Sequence, residues 1–453
     1  MGELRVPGMT GRDTAPGAQT SPATGPQGAA APGRTSVAAL LIMAVAAAVA
    51  WIRMPPIVAV SLYAEDGRTF VGGWFTGHGW LMLWGPYAGY QHLIPRLASG
   101  LVVSLLPVPW WAPAVHVVAC GVVGVIAGLV FVYSRDVIAF CPSRVVLGLI
   151  TVLTPIAGQE ALGNLANLHW FVLYLTPWLL LATPRSTAGT WAMTLVALLA
   201  TATEPQCAVF LPLVLWRIVR CRRTWPVMAG WMVGVTAQVI TFMVAPRAVA
   251  TVYPPLASTV EGYVLNAGMT VATSRPRVLG AVLVHIGWWI GFAGVAAILA
   301  VAVVGFVWGQ LMARVAIAAL VYGSVLSWTA SFVLGSNPLF FYSTQTDDQL
   351  TDPLLVRWAT AASMLLVATI PVAVGVLVQR YPRSRPVGAG TLLAFVCIMA
   401  LSLPSGGPPD NREWGPEVEK AETKCAATGG VVKLVTPPWP PWGVRVPCSR
   451  LTG

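Results

Sequence analysis

The segment Tyr63-Ala64-Glu65-Asp66-Gly67-Arg68 places two adjacent carboxylates just after an apolar run. A carboxylate at a dry, partly buried surface gains proton affinity and can serve as a general base. Gly67 permits a tight turn that would lift the pair clear of a helix end. A solvated turn bearing two acids fits the same letters. The loop continues through Trp74, Phe75, Trp80, Trp84, Tyr87 and Tyr90. Such rings stack on sugars, and they also anchor proteins at bilayer interfaces. Gly89-Tyr90-Gln91-His92-Leu93-Ile94-Pro95-Arg96-Leu97 follows. His92 and Arg96 are four residues apart, so a helix would set them on one face, where they could hold a phosphate.

Further along, Gln159, Glu160, Asn164, Asn167 and His169 form a dense polar set that ends at Trp170. Asn and Gln are costly at membrane depth without partners. Either a functional cluster or a wet loop with a helix cap accounts for it. Glu204-Pro205-Gln206 interrupts two apolar runs and reads as the turn of a helical hairpin. The segment from Ser343 to Asp352 carries Asp347, Asp348 and Asp352, and Arg357-Trp358 comes next, at the head of an apolar run. An Arg one turn inside such a helix needs an anionic partner. A lipid phosphate or an ion pair with Asp348 or Asp352 would supply it. The chain has no phosphate-binding Gly loop, no dinucleotide fingerprint and no His-Glu-x-x-His zinc pattern. Any sugar donor must then be membrane-borne.

The elements that position these residues follow from composition. Of 453 residues, 56% are hydrophobic and 9% charged, with mean hydropathy +0.73. A soluble chain carries roughly 25% charged residues. The expected fold class is therefore all-α, a polytopic transmembrane helical bundle. Residues 1–34 are rich in Gly, Pro, Ala and Thr and read as a disordered tail. The expected spans are 37–52, 110–132, 145–156, 170–183, 189–203, 207–219, 227–245, 279–309, 315–334, 354–378 and 387–403, about 11 in all. The stretch 92–106 reads as an amphipathic surface helix within a large first outer loop. Arg135, Arg144, Arg185, Arg217, Arg220, Arg222, Arg223, Arg314, Arg380, Arg383 and Arg385 then share one side with the N-terminus. Glu65, Asp66, Glu160, Glu204, Glu261, Asp347, Asp348 and Asp352 share the other. That asymmetry puts the N-terminus in the cytoplasm. The net charge of +11 is thus a topology signal and implies no nucleic-acid partner. The transmembrane domain runs over 35–403. A small extracytoplasmic tail, 404–453, carries Cys425 and Cys448, which can pair in an oxidising space. None of the seven Cys has zinc-site spacing. Arg far outnumbers Lys, a bias associated with GC-rich bacterial genomes.

In order and sidedness this pattern resembles the C-type glycosyltransferase fold, a group of membrane enzymes that use polyprenyl-phosphate-linked sugars. The resemblance rests on Glu65-Asp66 in the first outer loop, the Gly89–Leu97 segment, Asn167-Leu168-His169-Trp170 opening a span, Arg357-Trp358, and an outer tail with two Cys. It implies Asp66 as catalytic base, with Glu65 as neighbour or substitute. It implies Arg357, then Arg96 and His92, for the donor phosphate, and Tyr90, Asn167, His169 and Trp170 for the substrate. Some members bind a divalent cation near the first-loop acid, which Asp347 and Asp348 would complete here; no other cofactor is implied. The expected partners are a polyprenyl-phosphate-linked sugar, a cell-envelope glycan, lipid or protein acceptor, and membrane lipids. The expected location is a bacterial plasma membrane, with transfer on the outer face and inversion. The chain departs from the family in lacking a large folded C-terminal domain. A flippase of lipid-linked glycans would show internal repeats and midplane charges. A non-catalytic envelope-assembly protein would need no outer-loop acid.

Overall fold

A computed structural model of the chain describes residues 32–76, 79–247, 252–403, 412–438 and 442–451. The expected tail is outside that set as far as residue 31. From Pro32 the chain is already helical, through to Arg53.

The protein is an all-α bundle. Among the described residues, six helices are long and apolar enough to cross a membrane: Thr35–Arg53, Val108–Asp136, Arg222–Val244, Trp289–Trp308, Leu311–Leu334 and Ala359–Arg380. Shorter apolar helices fill the bundle, including Leu93–Leu105, Cys141–Leu153, Leu168–Leu181 and Thr187–Thr201. Every helical residue of Leu168–Leu181 is buried, so this helix is core. The Ala359–Arg380 helix packs against both Leu311–Leu334 and Trp289–Trp308. Its many small residues, among them Ala361, Ala362, Ser363, Ala368 and Ala373, let neighbouring backbones approach closely, as apolar surroundings favour.

The run expected as one span at 279–309 is broken. Pro276–His285 and Trp289–Trp308 are separate helices, and Gly287 between them has φ +97. That left-handed backbone favours glycine and ends the first helix. Leu93–Leu105 is amphipathic as expected. It buries Arg96 and Ser99 and exposes Leu97, Leu101 and Leu105, an apolar stripe at helical spacing.

Two buried side chains fix the second polar loop. Arg53 Nη1 donates to the carbonyls of Val152 at 2.6 Å and Thr154 at 3.1 Å, and Nη2 to that of Pro155 at 3.2 Å. These bonds tie the last turn of Cys141–Leu153 and the two residues just beyond it to the end of the first helix. His116 bridges the carbonyls of Ser61, at 2.7 Å, and Gly163.

The tail is a small cap of mixed structure rather than pure helix. It joins the helix Trp414–Thr428 to an antiparallel hairpin in which Val431–Val435 pairs with Gly443–Pro447. Cys425 and Cys448 form a disulfide, with Cα atoms 5.4 Å apart. The cap lies on the first loop. The Ala64 amide donates to Pro437 O at 2.6 Å, and the Trp414 amide donates to Val60 O at 2.8 Å. Trp414 Nε1 donates to Val108 O at 2.7 Å.

Candidate functional site

The first loop and the polar set after Gln159 converge on a cavity of about 410 Å³. Its lining includes Glu65, Tyr87, Tyr90, His92, Asn167, His169, Trp170, Glu204, Arg247 and Arg357. Most of the residues singled out in the sequence are therefore brought together. Asp66 and Arg96 do not line the cavity, and neither do Asp347 and Asp348.

The backbone around His92 explains its placement. Gln238 lies in the middle of an apolar helix; its Oε1 accepts from the Gln91 amide at 2.8 Å and its Nε2 donates to Gln91 O at 3.1 Å. The Leu93 amide donates to Ala202 O, and that of Ile94 to Thr203 Oγ1. These bonds fasten 91–94 to two helices and set Tyr90 and His92 into the wall. His92 is fully buried, and among the described residues neither ring nitrogen has a hydrogen-bond partner. Burial, with His169 and Arg96 nearby, pushes its pKa well below the usual range. A neutral imidazole can donate one hydrogen bond and accept another.

Consecutive carboxylates go to different places. Asp66 is 1% exposed and accepts from the Leu165 and Ala166 amides, each at 2.9 Å. Burial pushes its carboxyl up to about 7, against the pull of those two amides. Glu65 lines the cavity. Its Oε1 accepts from Tyr87 OH at 3.2 Å and Arg357 Nη2 at 3.4 Å, while Oε2 is buried with no partner among the described residues.

Arg357 sits in the turn before the helix that starts at Ala359, not a turn inside it. Its partners are Glu65 and Glu160, rather than Asp348 or Asp352. Asp352 instead pairs with Arg277 at 3.5 Å. Burial would lower the Arg357 guanidinium, and the two carboxylates more than offset this, leaving its pKa raised. Arg96 is buried behind Phe70, 6.0 Å from its ring; it supports the first loop and does not reach the cavity lining. Asp347 and Asp348 are exposed on a turn closed by a Thr346–Gln349 capping box. Among the described residues no three His, Cys, Asp or Glu side chains converge, and both Asp66 oxygens are taken by amides. This donor set does not fit a divalent cation.

Two charged lining residues lie outside the site expected from the sequence. Glu204, taken for a hairpin turn, is buried and pairs with His169 Nδ1. The available signal was an acid between two apolar runs, where burial without a partner is costly. Arg247 lies against Gly89: a Cβ on Gly89 would meet the Arg247 amide nitrogen at 2.9 Å. Gly89 also has φ +86, so glycine is required there for both shape and space.

One side of the cavity is apolar. Val235, Val239 and Phe242 face it from Trp225–Val244, and Leu334 from Leu311–Leu334. Val239, Phe242 and Leu334 are also 52%, 56% and 50% exposed. The cavity thus has a charged wall and an apolar mouth on helices of membrane-spanning length. No family model matches the chain, and no curated protein sequence matches it.

Proposed function

We propose that this protein is a membrane glycosyltransferase that moves a sugar from a polyprenyl-phosphate donor to an envelope acceptor, with inversion. The supporting observation is the pairing of a charged cavity wall with an exposed apolar mouth. That combination suits a polar head group carried on a hydrocarbon chain. The eleven-span topology, with the first loop and the cap outside, belongs to the same proposal.

In this reading the donor phosphate docks between Arg357 and Arg247, and displaces Glu160 or Glu65 from the Arg357 guanidinium. Glu65, whose Oε2 has no partner among the described residues, takes the proton of the acceptor hydroxyl. The acceptor oxygen attacks the anomeric carbon, and the phosphate leaves from the opposite face beside the two guanidiniums. Tyr90, His92 and Trp170 bound the sugar. Asp66 acts behind them: by gripping the Leu165 and Ala166 amides it fixes Glu65 relative to Asn167 and His169.

The test is incubation of purified protein with a panel of radiolabelled polyprenyl-phosphate sugars and envelope acceptors. Transfer that is lost on Glu65→Gln is the expected result. Movement of an intact lipid-linked glycan across vesicles, with no transfer, would replace this reading with the flippase. For topology, a membrane-impermeant thiol reagent should label a Cys at Gly67 and not one at Arg222 in intact cells.

A further inference from the structure

The ion group around Arg357 leaves a second titratable cluster in the same cavity without a role. Glu204 closes the helix Thr187–Thr201 and caps the turn Pro205–Phe210, its Oε1 accepting from the Gln206 amide at 2.7 Å. Its Oε2 meets His169 Nδ1. An ionised carboxylate only accepts, so Nδ1 carries a proton and the reactive nitrogen is Nε2. No partner for Nε2 lies among the described residues, and the ring lines the cavity. Glu204 is 1% exposed, so the pair sits away from solvent and its hydrogen bond holds the His169 ring in one orientation.

The groups facing this pair are few. From the first loop come His92, edge-on with ring centroids 5.3 Å from His169, and Tyr90 at 6.4 Å. Cys207, in the turn that follows Glu204, lies within its field. Glu65, Arg247 and Arg357 line the same cavity. His92 is a second, independent sign of a ligand here, because a wholly buried imidazole with two unsatisfied nitrogens is costly unless something binds it.

We propose that the Glu204–His169 pair is the general acid for the departing phosphate in the transfer described above, a proposal that rests on that reading. As the acceptor oxygen bonds to the anomeric carbon, the bond from that carbon to the phosphate oxygen breaks, and its electron pair leaves with the phosphate. The acceptor's proton passes to Glu65, and the Nε2 proton of His169 passes to the phosphate oxygen. One proton is taken up and one delivered. Proton transfer from Glu65 to His169, directly or through water, restores the starting state. Glu204 does not touch the reacting atoms and is a positioning residue.

The experiment is turnover against pH at saturating donor for wild type, His169→Gln and Glu204→Gln, with thermal unfolding measured on the same samples. Wild type should give a bell, rising as Glu65 ionises and falling as His169 loses its proton. In His169→Gln the falling limb should vanish and turnover should drop by about 10²-fold or more. Glu204→Gln can still cap the Gln206 amide, so it carries the test if the first variant fails to fold. It should move the falling limb to lower pH, because the imidazolium loses its counter-charge. A falling limb that stays in place in both variants overturns the proposal. Loss of the rising limb instead makes His169 the base and overturns it too. If the wild type transfers no sugar from any donor, the transferase reading fails first, and that outcome is distinct from an unchanged pH profile.

Discussion

Glu65 and Asp66 are consecutive in the chain and belong to different regions. Glu65 stands in the cavity wall with one oxygen shared between Tyr87 and Arg357 and the other unpartnered among the described residues. Asp66 is seated beneath the wall with both oxygens committed to backbone amides. The wall holds groups with unspent hydrogen-bonding capacity: Glu65 Oε2, both His92 nitrogens and Trp170 Nε1. In the seat, the Asp66 carboxylate and the His116 ring each meet two backbone groups. Reactivity needs unspent capacity and rigidity needs it used, so the two regions divide the work between adjacent residues.

The sharpest way to break this comparison is turnover. Glu65→Gln should cost about 10²–10⁴-fold, the usual range for losing a general base, measured with labelled donor at saturation. Asp66→Asn should stay much closer to wild type. Equal losses from both, with the fold intact, would merge the two regions. The next effect concerns the cap that rests on the seat. Cys448→Ser should destabilise the cap by roughly 3 kcal/mol in the chain-entropy model, read as faster protease cleavage within 412–451. Asp66→Asn should lower stability by about 1–3 kcal/mol, because its amide group can accept from only one side and leaves a buried backbone donor unpaired; thermal unfolding in detergent reads this. The pH dependence has a defined sign. The folded state keeps the Asp66 proton up to about 7, whereas the unfolded chain loses it near pH ~4. The folded state binds more protons in that window, so this residue's contribution to stability falls as pH rises from about 4 to 7 and then levels. Asp66→Asn should flatten that slope. The smallest effect is expected from Gly89→Ala, of order 1 kcal/mol. By displacing Arg247 it should raise the donor concentration needed for half-maximal rate and lower turnover, though far less than Glu65→Gln does.

Much of the wall was legible in the sequence. Glu65, Tyr90, His92, Asn167, His169, Trp170 and Arg357 are polar or aromatic groups at the ends of apolar runs, and apolar surroundings make each conspicuous. The bundle class followed from charge poverty alone. Which of two adjacent acids faces the cavity was not legible, since it depends on a turn set by Leu165 and Ala166, about a hundred residues away. The partners of Arg357 were misread for a related reason. Asp348 and Asp352 are near it in sequence, while Glu65 and Glu160 are near it in space. Glu204 was passed over because an acid beside Pro matches a hairpin turn, and only tertiary packing distinguishes an exposed turn from a buried one. The break at Gly287 was hidden because both flanking helices are apolar.

The cap has a consequence for how the molecule is made. Arg412 donates its amide to Ser61 Oγ across 351 positions of chain, and Pro437 reaches back in the same way to Ala64. The part translated later completes the seating of a part translated earlier. A nascent chain can insert its helices in order, yet its first loop stays unclamped until the cap has been made and has folded onto it. Completion of the site therefore waits on the cap, so a chain truncated before residue 412 should occupy the bilayer without a finished cavity.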